Sequence, residues 1–207
     1  MEPTKMGTKP LTGNFIIEQM RANLTPLANK YIESLSNKPN GSYAALGMTK
    51  ALEEGNEMGV IAQLPNRTFG DSFFKYSIQE AMVLHGHSVV LNDTRNHDSI
   101  DCGKPREYKA ARLLSTTGGL RIHASNPTKQ SNVRVELFVA DGEKLEDCGF
   151  YALDKSALDR FGSSMRNGQG WAISLSLDAL HDPQGLGLWR MDADEYARNR
   201  GRSCRCK

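Results

Sequence analysis

The chain has 207 residues, 39% hydrophobic and 24% charged, with 26 Lys and Arg against 24 Asp and Glu for a net charge of +2. A chain of this length buries about 70% of its unfolded surface, so a self-sufficient core is feasible, and no apolar run approaches the ~18 residues that cross a bilayer. Nineteen Gly and eight Pro exclude a collagen-like or low-complexity chain, and a polar start without the apolar centre of a signal peptide makes a soluble, cytoplasmic protein with no membrane contact the expectation.

Apolar residues recur at helical spacing from Asn14 to Leu35 (Phe15, Ile16, Met20, Leu24, Leu27, Tyr31, Leu35), with Pro26 expected to break or kink the run. Residues 36–41 form a dense turn signal, and 42–63 read as a second helical region interrupted around Gly55 and Gly59. A third helix is predicted from Asp71 to His85, with Gly86 as its left-handed C-cap. After Gly86 the period changes to that of strands: 87–91, 99–101, a turn at 102–105, then 106–114, 120–124, 133–140, 150–153 and 171–175. Short helices are expected at 156–161 and around Leu177. Helices first and strands later predict an α+β fold with a central mixed β-sheet flanked by helices. It divides into an N-terminal helical region, residues 1–65, and a core with a basic C-terminal tail, residues 66–207.

Charge is unevenly spread. Lys104, Arg106, Lys109, Arg112, Arg121, Lys129 and Arg134 surround a single acid, Glu107, and the tail carries Arg198, Arg200, Arg202, Arg205 and Lys207 with no acid. Clustered positive charge of this kind attracts a polyphosphate backbone, and a solvated basic face has the same composition. The four cysteines, Cys102, Cys148, Cys204 and Cys206, lack the spacing of a structural zinc site and read as free thiols. His85 and His87 flank Gly86 between a helix end and a strand, which aims their rings apart and favours a structural role.

The residues that point to chemistry lie between Asn96 and Arg112. Glu107 and Lys109 are two apart on a predicted strand, so both leave one face. Asp98 lies nine positions before Glu107, across a Gly-Lys-Pro turn that returns the chain as an antiparallel neighbour. Two adjacent carboxylates repel unless a cation sits between them, and hard oxygen ligands suit Mg2+. A lysine beside a metal-bound water can orient it and stabilise the charge that forms. Asp93 and Asp101 are rival ligands, but Asp101 is three residues from Asp98 and points to the other face of a strand.

Asp98 followed by Glu107-Tyr108-Lys109 resembles the PD-(D/E)XK nucleases, and within them the type II restriction endonucleases. The Pro that often precedes the Asp is replaced by His97. The helix leading into the hairpin and the later strands extend the likeness over about residues 70–190, giving a restriction-endonuclease-like expectation for the core. The resemblance implies Asp98, Glu107 and Lys109 as catalytic residues, Asp98 and Glu107 as Mg2+ ligands and double-stranded DNA as substrate. Cutting a symmetric site calls for a homodimer, and the apolar faces of the helices in residues 14–63 make the N-terminal region the candidate for dimerisation or for embracing DNA. Glu80, on the preceding helix, is similar to an outer carboxylate of some members, though surface charge explains it better.

The polar stretch after the third strand, with the neighbouring bases, supplies the expected DNA contacts: Arg112, Arg121, His123, Asn126, Lys129, Gln130 and Asn132. Two rival readings stand beside the restriction enzyme. One is a repair or junction-resolving nuclease with the same site. The other is a non-catalytic DNA-binding protein in which Glu107 and Lys109 form an ordinary ion pair.

Overall fold

A computed structural model describes residues 10–36, 38, 41–94, 97–112, 119–124, 133–153, 162–164, 171–176 and 190–203, with backbone alone at 92–94, 119–124, 162–164, 171–176 and 203. The first apolar stripe forms one unbroken helix, α1 (Gly13–Ser36), burying Ile16, Ile17, Met20, Leu24 and Ala28. The expected break at Pro26 does not occur. Pro26 lies on the exposed side, where a lost hydrogen bond is tolerated, and tertiary burial of the opposite stripe holds the helix across it. The second region divides into α2 (Gly41–Glu53) and α3 (Glu57–Gln63) at Gly55, whose φ of +64° a side chain rarely adopts. Gly59, expected as a second interruption, lies inside α3 and donates its N–H to the cap Asn56 Oδ1 at 2.8 Å.

The third helix begins as a π-helical segment, Thr68–Lys75, and continues as α4 (Tyr76–Leu84). Gly86 at φ +79° closes it in a Schellman motif: Gly86 N–H donates to Val83 O at 2.9 Å and His87 N–H to Met82 O at 3.0 Å. The chain then enters an antiparallel meander of β1 (Val89–Thr94), β2 (His97–Asp101) and β3 (Lys104–Arg112). Cys102 and Gly103, at φ +48° and +79°, make the left-handed turn between β2 and β3. The remaining strands are β4 (Gly119–Ala124), β5 (Arg134–Ala140), β6 (Gly149–Leu153), β7 (Gly162–Ser164), β8 (Trp171–Ser176) and β9 (Arg190–Met191), before the helix α5 (Ala193–Ser203). Six of them form a mixed sheet ordered β1-β2-β3-β5-β6-β9, parallel only between β3 and β5, and the others form a small sheet ordered β4-β8-β7. The fold is α+β with a mixed sheet flanked by helices, as expected from the sequence. The short helices predicted at 156–161 and around Leu177 lie outside the described residues.

One hydrophobic cluster joins these parts. Phe69, Phe73 and Phe74 of the π segment meet Phe138 of β5, Phe150 of β6 stacks on Tyr196 of α5 at 4.7 Å, and the α1 stripe belongs to the same cluster. The apolar face of α1, expected to be available to a second copy, is therefore internal, and α2 is the N-terminal helix that exposes large apolar side chains, Tyr43 and Leu46. Cys148 is buried in this core, and burial pushes its thiol up to about 11.

On the same side of the sheet lies a buried charge cluster. Arg106 on β3 donates to Glu136 on β5 at 2.7 Å, and Arg200 of α5 pairs with Glu136 at 3.4 Å and with Asp101 of β2. Tyr108 Oη donates to Asp101 Oδ2 at 2.7 Å and accepts from Arg200 at 2.9 Å. The basic stretch from Arg198, expected as a phosphate-clamping tail, is thus a docked helix as far as Ser203, and Arg200 is spent inside. Burial opposes ionisation of Asp101, but the Arg200 guanidinium, with the Ser99 and Tyr108 hydroxyls, outweighs it and holds the carboxyl below its ordinary range. A depressed carboxyl contributes stability above its unfolded value near pH ~4, and loses it as pH falls through the folded value. Removing one partner of a buried pair leaves the other charge uncompensated, so Arg200→Met should cost about 3–5 kcal/mol in urea unfolding at pH 7. That deficit should shrink as the same titration is run at pH values falling from ~4 through the depressed folded value of Asp101, where its carboxylate is protonated; a deficit that stays constant with pH would remove Asp101 from the account.

Candidate active site

Alternation along β2 and β3 sorts the polar residues onto two faces. Ser99 pairs with Arg106 and Asp101 with Lys104 across the hairpin. Ser99, Asp101, Arg106 and Tyr108 are buried on the side of the charge cluster. Glu107 and Lys109 alternate with them on β3 and so belong to the opposite face, whereas Asp98 lies just past the paired register of β2 and β3, its carboxylate turned to the β3 backbone and to the helix that packs on the cluster side. In the parallel register Glu107 lies beside Val135 and Lys109 beside Leu137.

The carboxylate of Asp98 reaches across to β3. Its Oδ2 accepts from the backbone N–H of Tyr108, the residue between Glu107 and Lys109, at 2.8 Å. Its Oδ1 accepts from Lys75 Nζ at 2.9 Å, and Gln79 Nε2 lies 3.5 Å from the Asp98 carbonyl. Glu107 pairs with Lys109 Nζ. The side chains of Asp98 and Lys109 are 14% and 21% exposed and so partly desolvated, while Glu107, at 6%, is buried. The structure therefore ties Asp98 to the β3 backbone between Glu107 and Lys109, pairs those two with each other, and adds Lys75 and Gln79 from the preceding helix. Their spacing of four along one helix face could have singled these two out, but nothing in the sequence says which strand they meet.

Carboxylate oxygens are the donors a hard divalent cation takes, and the Asp98 and Glu107 carboxylates each now face a lysine, Lys75 and Lys109, with which such an ion would compete. Among the described residues no three His, Cys, Asp or Glu side chains converge as a metal group. An ion held here would keep most of its coordination sphere as water, which is the habit of Mg2+.

The rivals separate. Asp101 points into the buried cluster and is removed from the site face. Asp93 is described by its backbone alone. Glu80 accepts from Asn23 of α1 at 3.0 Å, tying two helices together. The His85 and His87 rings do not diverge as expected; they stack at 5.9 Å, with Phe15 edge-on to His85 at 5.3 Å.

The expected DNA contacts fare differently. Arg121 and His123 lie on β4, described by backbone alone, and Asn126, Lys129, Gln130 and Asn132 lie outside the described residues, as do Cys204 and Cys206. Arg112 is occupied elsewhere. It donates to Ile61 O at 2.7 Å, to Leu64 O at 2.7 Å and to Asn66 Oδ1 at 2.8 Å, closing the end of α3, and its guanidinium covers the Phe69 ring at 4.2 Å. Its reassignment follows from long-range packing, since a helix C-terminus offers unpaired carbonyls to any nearby cation.

No protein-family model, no curated protein and no solved structure matches this chain. No described helix is long and apolar enough to cross a membrane.

Arg112→Ala should lower stability by about 1–3 kcal/mol, the scale of leaving part-buried acceptors unpaired. The salt dependence of any DNA binding should stay the same, read as the slope of log K against log salt. A slope shallower by about one would return Arg112 to the phosphate-contacting residues.

Proposed function

We propose that the chain is a Mg2+-dependent endodeoxyribonuclease that hydrolyses phosphodiester bonds in double-stranded DNA, in the manner of a sequence-specific type II restriction enzyme. The observation that carries the reading is the Asp98 carboxylate of β2 bonded to the β3 backbone at Tyr108, the residue between Glu107 and Lys109, which pair with each other. The meander that delivers Asp98 to the flank of a Glu-x-Lys strand supports the family resemblance drawn from the sequence.

Asp98 and Glu107 would hold the cation. A bound Mg2+ supplies Lewis acidity to a phosphoryl oxygen and lowers the pKa of its water. Lys109, two residues from Glu107 on the same face, would orient the attacking water in line with the scissile bond and balance the charge that develops on the phosphoryl oxygens. Partial burial strengthens each of these interactions relative to bulk water. Cutting both strands at a symmetric site calls for two such sites, hence a homodimer of the 22.9 kDa chain, and the exposed Tyr43 and Leu46 of α2 are the apolar side chains that the N-terminal helices have left to offer.

Linear plasmid incubated with the protein and Mg2+ should give discrete fragments, and EDTA should abolish them. Cleavage confined to branched substrates would point to a junction-resolving nuclease, and binding without cleavage to a non-catalytic DNA-binding protein. Lys109→Ala should lower the cleavage rate about a hundredfold or more while retaining DNA binding in Ca2+, because it removes an interaction needed in the transition state. Glu107→Ala should also stop cleavage and should bind DNA at least as tightly without metal, since it removes a negative charge facing phosphates. Wild-type rates in Lys109→Ala would sink the Glu-x-Lys assignment. Sedimentation should give twice 22.9 kDa; a monomer with and without DNA would leave duplex cleavage without its second site.

A further inference from the structure

Lys75 ends the π segment and α4 begins at the next residue. A π turn is a rare departure from helical geometry and occurs disproportionately at functional sites. Here Phe73 and Phe74 are fully buried against the sheet, and the following residue, Lys75, emerges against β2. Its Nζ lies 2.9 Å from Asp98 Oδ1, and the two side chains are 18% and 14% exposed. One turn further on, Gln79 faces the Asp98 carbonyl at 3.5 Å. The helix thus addresses both the carboxylate and the backbone of the proposed metal ligand.

We propose that Lys75 is a second lysine of the site, holding Asp98 until a divalent cation takes the carboxylate and then passing to a phosphate of the DNA. This rests on the nuclease reading above. One oxygen of Asp98 is committed to the Tyr108 N–H, so Oδ1 is the oxygen open to a cation, and Lys75 is on it. An ammonium and a divalent ion compete for that atom. A divalent ion adds two positive charges to the site, which phosphates of a nucleic acid backbone would offset. A displaced lysine beside such a backbone finds its new partner there.

The test uses full-length Lys75→Met and Lys75→Arg, with two readouts besides cleavage. Mn2+ affinity without DNA, measured by water-proton relaxation, should rise about fivefold in Lys75→Met, the scale of a lost partly exposed ion-pair competitor. Duplex DNA binding in Ca2+ should weaken in Lys75→Met with a salt slope shallower by about one, and Lys75→Arg should restore the slope. Should Lys75→Met fail to fold, Lys75→Gln, which keeps a donor for Asp98, carries both measurements. If either the Mn2+ affinity or the slope matches the wild type, Lys75 is a tether between helix and sheet and the transfer is wrong. Wild-type protein that binds no Mn2+ and leaves plasmid intact overturns the nuclease reading and this inference with it. Wild-type cleavage with either readout unmoved overturns this inference alone.

Discussion

The register of the β2–β3 hairpin is fixed by charge that cannot leave the interior. Asp101, Arg106, Glu136 and Arg200 are each no more than 2% exposed, and they bind one another and Tyr108 across β2, β3, β5 and α5. Burying four charges is expensive, and the cost is tolerable only in the one arrangement that pairs them all. A slip of one residue in either strand would turn Asp101 or Arg106 out and bring Asp98 or Glu107 in without partners. Strand alternation then forces the complementary result on β3: with Arg106 and Tyr108 inside, Glu107 and Lys109 stand on the other face. The candidate site exists where it does because of a cluster that takes no part in its chemistry.

The same cluster explains why α5 is part of the core. A helix rich in arginine has little apolar surface to bury, and α5 offers chiefly Tyr196 and Ala197. Arg200 supplies the remaining adhesion, and Asp194 reaches back to the first N–H of α1 at 2.8 Å. Burial of Tyr108 pushes its phenol up, so its hydroxyl stays a donor to Asp101 at any ordinary pH. α5 is thereby tied both to the sheet and to the first turn of α1. That is why the N-terminal helices and the strands share one hydrophobic cluster.

What was legible in the sequence was local. The change of period at Gly86, the left-handed turn at Cys102 and Gly103, and the common face of Glu107 and Lys109 follow from backbone geometry within a few residues. Pro26 was misleading because its cost depends on which side of the helix faces solvent, a tertiary fact. Arg112 and Arg200 were misplaced for a related reason. A cation is read from sequence as a surface charge, and only the fold reveals that one closes the end of α3 and the other neutralises two buried carboxylates. Lys75 was invisible because its partner lies 23 residues away on another element.

The basic stretch from Lys104 to Arg134 shows how far a charge pattern can be carried. In a strand, successive residues leave opposite faces, so bases adjacent in sequence do not make one positive surface. Arg106 goes inward to Glu136, Lys109 outward to Glu107, and Arg112 to helix carbonyls, while Lys104 stays exposed at the turn. Bases adjacent in sequence are thereby given to different partners on different faces, and a run of positive charge in the sequence does not become a positive surface of the fold.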